Sequence, residues 1–566
     1  MINATEITPP SASDPDGSST NGSHLTRGDF LGIACSLILG VFLVFHAQIL
    51  SGLSKGLGSP HDPRLVTYLL EHATGCLDSA RLAECLVNPP FFYPARGVTF
   101  HSETFWGLVP FYAFVRVVVS DPARAYTLWS MLLAAANFLA AWILLRRELE
   151  LGRLPSLAAA FLFAFGSPRA AILTQSFTFA QFPFLLALVA LSREMRQVVD
   201  GGDRRRYIVL FWLALAWQAH SFIYSAFFGA FLLFFAAATA LAIRRYRRVL
   251  LESMRSRCVS WAVSGLLGLL LVVPLVLGYS HSLVELRGAR WDWVEPRLPH
   301  WLSFLYQGPR SLLWSQLERW APLAATPAKG WHQLGLGPVT TVLALIGLVR
   351  LRRRAWFPLV AAPAVLLFVI CFRFPGGFSP WVMLFDQLPG APAFRFVNRA
   401  YQLLLIVPAA GWGVAMFDLA KGKRPGFVWA ALTAVCLLEQ VQLGWGYSLP
   451  NRARLEQAIA YAIPETCESF FYSPLGETAP LVSQLDAMWA GLLIQRPTIN
   501  GFSGYRPPGW NLRRHAISSK EDERRIRASL EDWLSRNNLA RTCWVQFDTA
   551  LELPHRIEVV ESDAAP

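Results

Sequence analysis

The stretch FIYSAFFGAFLLFFAAATALAIRRYRRVLLESMRSRCVSWAVSGLLGLLLVVPLVLGY, residues 222–279, decides the fold. Two long apolar runs flank a loop that carries Arg244, Arg245, Arg247, Arg248, Arg255 and Arg257. A helix of about twenty apolar residues rises far enough to cross a ~30 Å hydrocarbon core. Loops rich in Lys and Arg stay on the cytoplasmic side. The stretch therefore reads as two spans: one enters the cytoplasm and the other returns outward.

The pattern repeats in both directions. Arg146, Arg147 and Arg153 mark an earlier loop, and Arg193, Arg196, Arg204, Arg205 and Arg206 mark the next. Downstream come Arg350, Arg352, Arg353 and Arg354, then Lys421, Lys423 and Arg424. These five segments hold 21 of the 51 basic residues, so most of the +13 net charge is topogenic rather than a nucleic-acid footprint. Only 16% of the chain is charged, against about 25% in soluble domains.

Working outward from these loops gives about eleven spans. They are Phe30–Leu50, Tyr126–Leu145, Leu154–Ser167, Gln175–Ser192, Tyr207–Trp217, Phe222–Ile243, Val259–Tyr279, Pro338–Val349, Phe357–Phe372, Ala400–Phe417 and Phe427–Trp445. The apolar segment Phe105–Val119 is excluded. It is short, holds Pro110 and Arg116, and would invert the Arg146 loop, so it reads as an interfacial or re-entrant helix. The N-terminus is then cytoplasmic and the C-terminus external.

Residues 1–28 are polar and read as a disordered cytoplasmic tail with no cleavable signal peptide. The glycosylation triplet Asn21-Gly22-Ser23 would be inert there. Residues 29–445 form the transmembrane domain, with large external loops at 51–124 and 280–337 and a shorter one at 373–399. Residues 446–566 read as a small external α/β domain. Its strands are expected at Cys467–Ser473, Thr542–Phe547 and Ile557–Val560, and its helices at Pro480–Ile494 and Ser518–Asn537.

Cys76 and Cys85 share the first external loop, and Cys467 and Cys543 share the tail. External pairs suit an oxidising compartment. The Cys76–Cys85 pair is open between a bridge and free thiols; a Cys467–Cys543 bridge is the less favoured of the two pairings, because both residues lie on strands of unknown partnership. No Cys or Cys/His zinc spacing occurs.

The spans carry almost no charge in their middles, which weighs against an ion-coupled transporter. Acids gather instead in the first external loop as Asp62, Glu71, Asp78, Glu84 and Glu103. Pro60 and Pro63 flank Asp62, so it is expected in a rigid turn rather than on a helix face. Asp62 and Glu103, at opposite ends of a membrane-anchored loop, suit general-base work on a hydroxyl or joint metal binding. Solvated loop acids are the competing reading. Between them, Asn88-Pro-Pro-Phe-Phe-Tyr-Pro94 is stiff and apolar. It would coat the membrane surface, wall a lipid-facing groove, or pack as a loop.

These segments carry a resemblance. Asp62-Pro-Arg with Glu71-His72, then Asn88–Pro94, then His101-Ser-Glu103 and Gly107-Leu-Val-Pro-Phe-Tyr112 resemble bacterial membrane proteins of the GT-C glycosyltransferase superfamily. Phe165-Gly-Ser-Pro-Arg169, Leu388-Pro-Gly390 through Phe394-Arg-Phe-Val-Asn-Arg399, and Asn500-Gly-Phe-Ser-Gly-Tyr-Arg-Pro-Pro508 fit the same group. The match runs from Phe30 to about Trp510.

The resemblance implies a multi-pass protein of the bacterial inner membrane. It would pass a sugar from a polyprenyl-phosphate donor to an envelope glycan, lipid or protein. It also implies that Asp62 is the base or positions the acceptor, and that Glu103 is the second loop acid. A divalent cation stays open, since His61 replaces a frequent Gly and Glu103 a frequent Asp. Departing phosphate needs cations, and Arg grips phosphate oxygens in pairs. The external Arg169, Arg395 and Arg399 are the candidates, against headgroup snorkelling. Two other functions compete: a glycan polymerase or ligase using the same carrier, and a non-catalytic lipid-linked glycan transporter or assembly factor.

Overall fold

The computed structural model describes residues 26–286, 288–388, 390–421, 426–476 and 478–561. The expected tail before residue 26, with its Asn21 triplet, and the basic residues Lys423 and Arg424 lie outside these residues, as does Pro389 of the Leu388-Pro-Gly390 motif.

Each apolar stretch coincides with helix. The helices are Arg27–Leu50, Pro122–Ile143, Arg153–Phe165, Phe182–Val199, Arg206–Ser221, Ile223–Ala242, Cys258–Leu286, Pro338–Leu351, Phe357–Cys371, Ile406–Ala420 and Gly426–Gln440. Six helical segments are long and apolar enough to cross a membrane. The outermost helices leave large apolar side chains uncovered: Val263, Leu266, Leu269 and Leu270 of Cys258–Leu286 are each more than half exposed. Such a surface is stable against lipid and not against water. The chain is a multi-pass membrane protein.

Between helices, lipid supplies no hydrophobic drive, so close backbone packing takes over. Helices Pro338–Leu351 and Ile406–Ala420 cross at Gly347 and Gly411, where a Cβ on either would overlap the other helix's backbone. Buried Glu439 caps the first of these helices. Its carboxylate accepts from the Val339 and Thr340 amides at 3.0 and 2.8 Å, and it favours the positive helix end.

The segment Phe105–Val119 forms the short helices Trp106–Leu108 and Val109–Val118. Asp62 departs from expectation. It opens the helix Asp62–Cys76, with Pro63 in the first turn. A proline there costs nothing, because the missing N–H would have had no helical partner.

The tail contains a three-stranded sheet in the order β1 (Phe470–Pro474), β2 (Arg541–Asp548), β3 (Leu553–Glu561). β1 and β2 run parallel and β2 and β3 antiparallel. The helices Pro480–Leu493 and Lys520–Arg536 lie between β1 and β2 in sequence. Alternation divides the strands cleanly. Phe470, Tyr472, Val545 and Phe547 join one buried cluster, while Phe471 and Trp544 join another with Ile526, Leu530 and Trp533. Cys467 is bonded to Cys543, and Cys76 to Cys85.

The run Asn88–Pro94 packs as an ordered loop against the tail, and it borders a surface groove with Arg81, Arg96 and Pro497. The Phe92 and Tyr93 amides donate to the Asn500 and Thr498 carbonyls, and Thr498 N donates to the Pro90 carbonyl, all at 3.0 Å. Phe91 and Phe92 are fully buried, and Phe92 meets Trp510 edge-on at 4.8 Å. Prolines forbid a helix here, and an extended segment with free amides pairs readily with another backbone. The first loop is therefore laced to the tail.

Candidate active site

Asp62 is fixed from both sides of its helix start. Two residues on, buried Arg64 donates to Glu456 and Asp486 of the tail at 2.6 and 2.7 Å. The pairing anchors the first turn, so the Asp62 carboxylate cannot drift with the loop. Its Oδ2 accepts from Gln175 Nε2 at 3.0 Å. Gln175 lies in the short 3₁₀ segment Leu173–Phe179 that precedes an apolar helix.

From Gln175 the contacts continue. Its side-chain oxygen accepts from Arg399 Nη2 at 3.4 Å, and Arg399 Nη1 donates to Glu103 Oε1 at 2.6 Å. Asp62, Gln175, Arg399 and Glu103, from four separate segments, form one run of hydrogen bonds. The first, third and fourth are residues the sequence singles out.

Arg399 is only 6% exposed. Its guanidinium lies 4.3 Å from the Tyr224 ring, 4.9 Å from Phe396, 5.4 Å from Phe222 and 5.5 Å from Phe177. Aromatic faces attract a cation and hold its plane. Glu103 supplies the opposite charge, and the Ser102 carbonyl beside it accepts from Tyr279 Oη at 3.0 Å.

Arg395 borders the same space in a different state. Its Nη1 donates to the Gly504 carbonyl at 2.8 Å, its guanidinium lies 4.5 Å from the Tyr505 ring, and its Nε has no partner. Arg297, which sequence reasoning missed, stacks 4.0 Å from Trp293, and Arg395 lies 5.6 Å from that ring. Burial, then the Arg395 charge, lowers the proton affinity of Arg297. Among the described residues neither arginine has a carboxylate partner. Two guanidiniums sharing one wall without an acid form an anion-accepting surface.

The tail roofs this space. Tyr505 N donates to the His101 carbonyl at 3.0 Å. A Cβ on Gly504 would come within 2.7 Å of that carbonyl and 2.9 Å of Arg395 Nη2, so only glycine permits the approach. The Tyr505 hydroxyl is buried without a partner, and burial pushes its pKa up to about 12. Burial also pushes the His101 ring down to about 4, so it is neutral at pH 7.

Desolvation holds the Asp62 carboxyl above the usual carboxylate range. The Gln175 hydrogen bond and the Arg399 charge oppose the rise, and the Glu103 charge adds to it. An acid tuned upward in this way is a stronger base once ionised.

Arg169 is set apart from these residues. It has no exposed surface, and its donors go to the Phe163 carbonyl at 3.1 Å, Gln181 Oε1 at 2.5 Å and the Gln402 carbonyl at 2.9 Å. All three are neutral protein oxygens that tie helix ends together. Its Nη1 is buried with no partner, and the other donors hold Arg169 apart from the run of hydrogen bonds that joins Asp62 to Glu103.

As for metal ligands, the described residues hold one group of three, His72, Cys76 and Cys85. Both sulfurs are in the disulfide and offer no thiolate. Asp62 and Glu103 bring two carboxylates that are joined through Gln175 and the Arg399 guanidinium.

Gln175, Tyr224 and Tyr505 were the other residues missed. Neutral side chains in apolar surroundings leave no charge pattern to read; only Tyr505 lay within a quoted motif.

No protein-family model matches the chain, and no curated protein sequence matches it. Among solved structures, the chain is similar to an oligosaccharyltransferase from Archaeoglobus fulgidus, solved with zinc and sulfate. That likeness has 14% identity and a TM-score of 0.48, covering 91% of this chain and 68% of that one. The chain is also similar to ArnT from Cupriavidus metallidurans in the apo state. Here identity is 12% and the TM-score 0.47, covering 95% of this chain and 98% of that one. Both are membrane glycosyltransferases of the GT-C superfamily.

Proposed function

We propose that this protein is a membrane-embedded glycosyltransferase. It takes a sugar from a polyprenyl-phosphate carrier on the outer face of the membrane and passes it to a hydroxyl of an envelope acceptor. The observation that supports this reading is the unbroken run Asp62–Gln175–Arg399–Glu103 beside the acid-free pair Arg297 and Arg395. A base and a cationic wall are the two parts the reaction needs.

The chemistry follows from those parts. The acceptor oxygen attacks the anomeric carbon as its proton passes to Asp62. The carbon–oxygen bond to phosphate breaks, and the carrier phosphate leaves with the electron pair. Phosphate is a good leaving group, so no general acid is required. Charge gathers on its oxygens, and Arg395 and Arg297 supply fixed donors for it. Gln175 orients the Asp62 carboxylate, and Arg399 keeps it ionisable in a desolvated place.

The eleven helices are read as eleven spans, with the N-terminus in the cytoplasm and residues 446–566 outside. An alkaline phosphatase fused after Trp445 is expected to be active; a cytoplasmic readout there would invert the site.

The direct test is transfer in proteoliposomes from a panel of synthetic polyprenyl-phosphate sugars. Asp62→Asn keeps size and hydrogen bonding but loses the base. Transfer is expected to fall by about 10²–10⁴-fold with normal insertion. Wild-type transfer from none of these donors, or an unchanged rate in Asp62→Asn, would refute the reading.

A further inference from the structure

We infer that the site works without a divalent cation, because Arg399 is a built-in cation standing where a metal would bridge Asp62 and Glu103. The inference deepens the glycosyl-transfer reading and rests on it for its meaning, though not for its test.

The donor set carries the argument. A hard cation such as Mg²⁺ or Mn²⁺ takes about six oxygen ligands in a near-octahedral shell. The carboxylates of Asp62 and Glu103 are the acids at this site, and each has an oxygen already engaged. Gln175 Nε2 holds Asp62 Oδ2, and Arg399 Nη1 holds Glu103 Oε1. The other Glu103 oxygen faces its neighbour's hydroxyl, with Ser102 Oγ at 3.4 Å. The Gln175 amide oxygen is turned toward Arg399, which donates to it at 3.4 Å. Tyr224, Tyr279 and Tyr505 add phenols, which are poor ligands while protonated, and His101 adds a single imidazole, far short of the shell such a cation needs.

The guanidinium is also unable to step aside. It is 6% exposed, and four aromatic rings surround it at 4.3–5.5 Å. A swing toward solvent would leave half-buried Glu103 without its partner. Arg395 and Arg297 nearby add positive charge, so a dication would meet repulsion from three guanidiniums. With Asp62 and Glu103 ionised, Arg399 leaves one negative charge for the base. A metal bridging both acids would instead draw the Asp62 lone pair into coordination and blunt it as a base.

The experiment uses the full-length protein in nanodiscs after chelator treatment, with Mn²⁺ as the probe and electron paramagnetic resonance as the readout. Wild type is expected to bind no stoichiometric Mn²⁺ up to about 1 mM, the weak end of protein cation sites. Arg399→Met uncovers both carboxylates and is expected to gain one Mn²⁺ that Asp62→Asn in the same background removes. Arg399→Lys keeps the charge and should gain none. One Mn²⁺ on wild type, lost in Asp62→Asn or Glu103→Gln, would overturn the inference, and so would a folded Arg399→Met that gains none. The wild-type measurement stands even where a variant fails to fold. No sugar donor is used, so this result and the transfer assay fail independently.

Discussion

Two buried arginines sit near one another in sequence logic and differ in what surrounds them. Arg169 and Arg399 each flank the end of a helix, and they are 0% and 6% exposed. Arg169 reaches the Gln402 carbonyl, one turn along from Arg399 itself. Yet Arg169 meets only neutral oxygens, whereas Arg399 meets Glu103 and, through Gln175, Asp62. Burial alone does not separate a latch from a site residue. A cation held by carbonyls fixes backbone, while a cation held between acids tunes their charge.

The largest effect that could break this comparison is on folding. Arg169→Met would orphan the Phe163 and Gln402 carbonyls and the Gln181 side chain. Each buried unpaired group costs about 1–3 kcal/mol. A large fall in melting temperature and in folded yield is expected, read by thermal unfolding and size exclusion. Arg399→Met should stay folded and lose transfer by about 10²–10³-fold, the usual worth of a preorganised charge. A folded, selectively inactive Arg169→Met would erase the distinction.

A smaller effect sharpens it. Arg395→Lys keeps charge and loses the fork, so the apparent KM for donor should rise about tenfold, the worth of one charge-assisted hydrogen bond at ~1.5 kcal/mol. The smallest is at Glu71, a loop acid on the same helix as Asp62. It accepts from Tyr112 Oη and Arg116 Nε at 2.6 and 2.5 Å. Glu71→Gln should change transfer by less than about threefold, within ordinary non-site variation.

How much of this was legible in the sequence follows the same division. Arginine-rich loops and apolar runs located the helices, because membrane physics writes both in composition. Asp62, Glu103 and Arg399 could be singled out because charge beside a long apolar run is conspicuous. The partners that join them could not. Gln175 is a neutral amide in an apolar segment, and its role exists only once three distant segments meet. Arg169 looked like Arg399 in sequence, since their partners, the Gln402 carbonyl for one and the Glu103 carboxylate for the other, lie 233 and 296 residues away. Pro63 was read as a turn signal although proline equally opens helices. Asn88–Pro94 stayed open between a membrane surface, a lipid groove and a packed loop because its partner, Thr498 to Asn500, lies in the tail.

The central claim is that Asp62 is the base and that the Arg399–Glu103 pair tunes it. Because its carboxyl is held above the usual range, the folded protein binds that proton more tightly than the unfolded chain. Ionising it therefore costs stability as pH rises past the ordinary carboxylate value, and Asp62→Asn should melt no lower than wild type at neutral pH. Transfer should in turn fall as pH drops through the raised value. The pH–rate profile of kcat/KM tests this most directly, measured for wild type, Arg399→Gln and Glu103→Gln. The acid limb should lie above the usual aspartate range, move to higher pH in Arg399→Gln, where a stabilising cation is gone, and move to lower pH in Glu103→Gln, where a repelling anion is gone. An acid limb at the ordinary aspartate value that neither substitution moves would contradict the account.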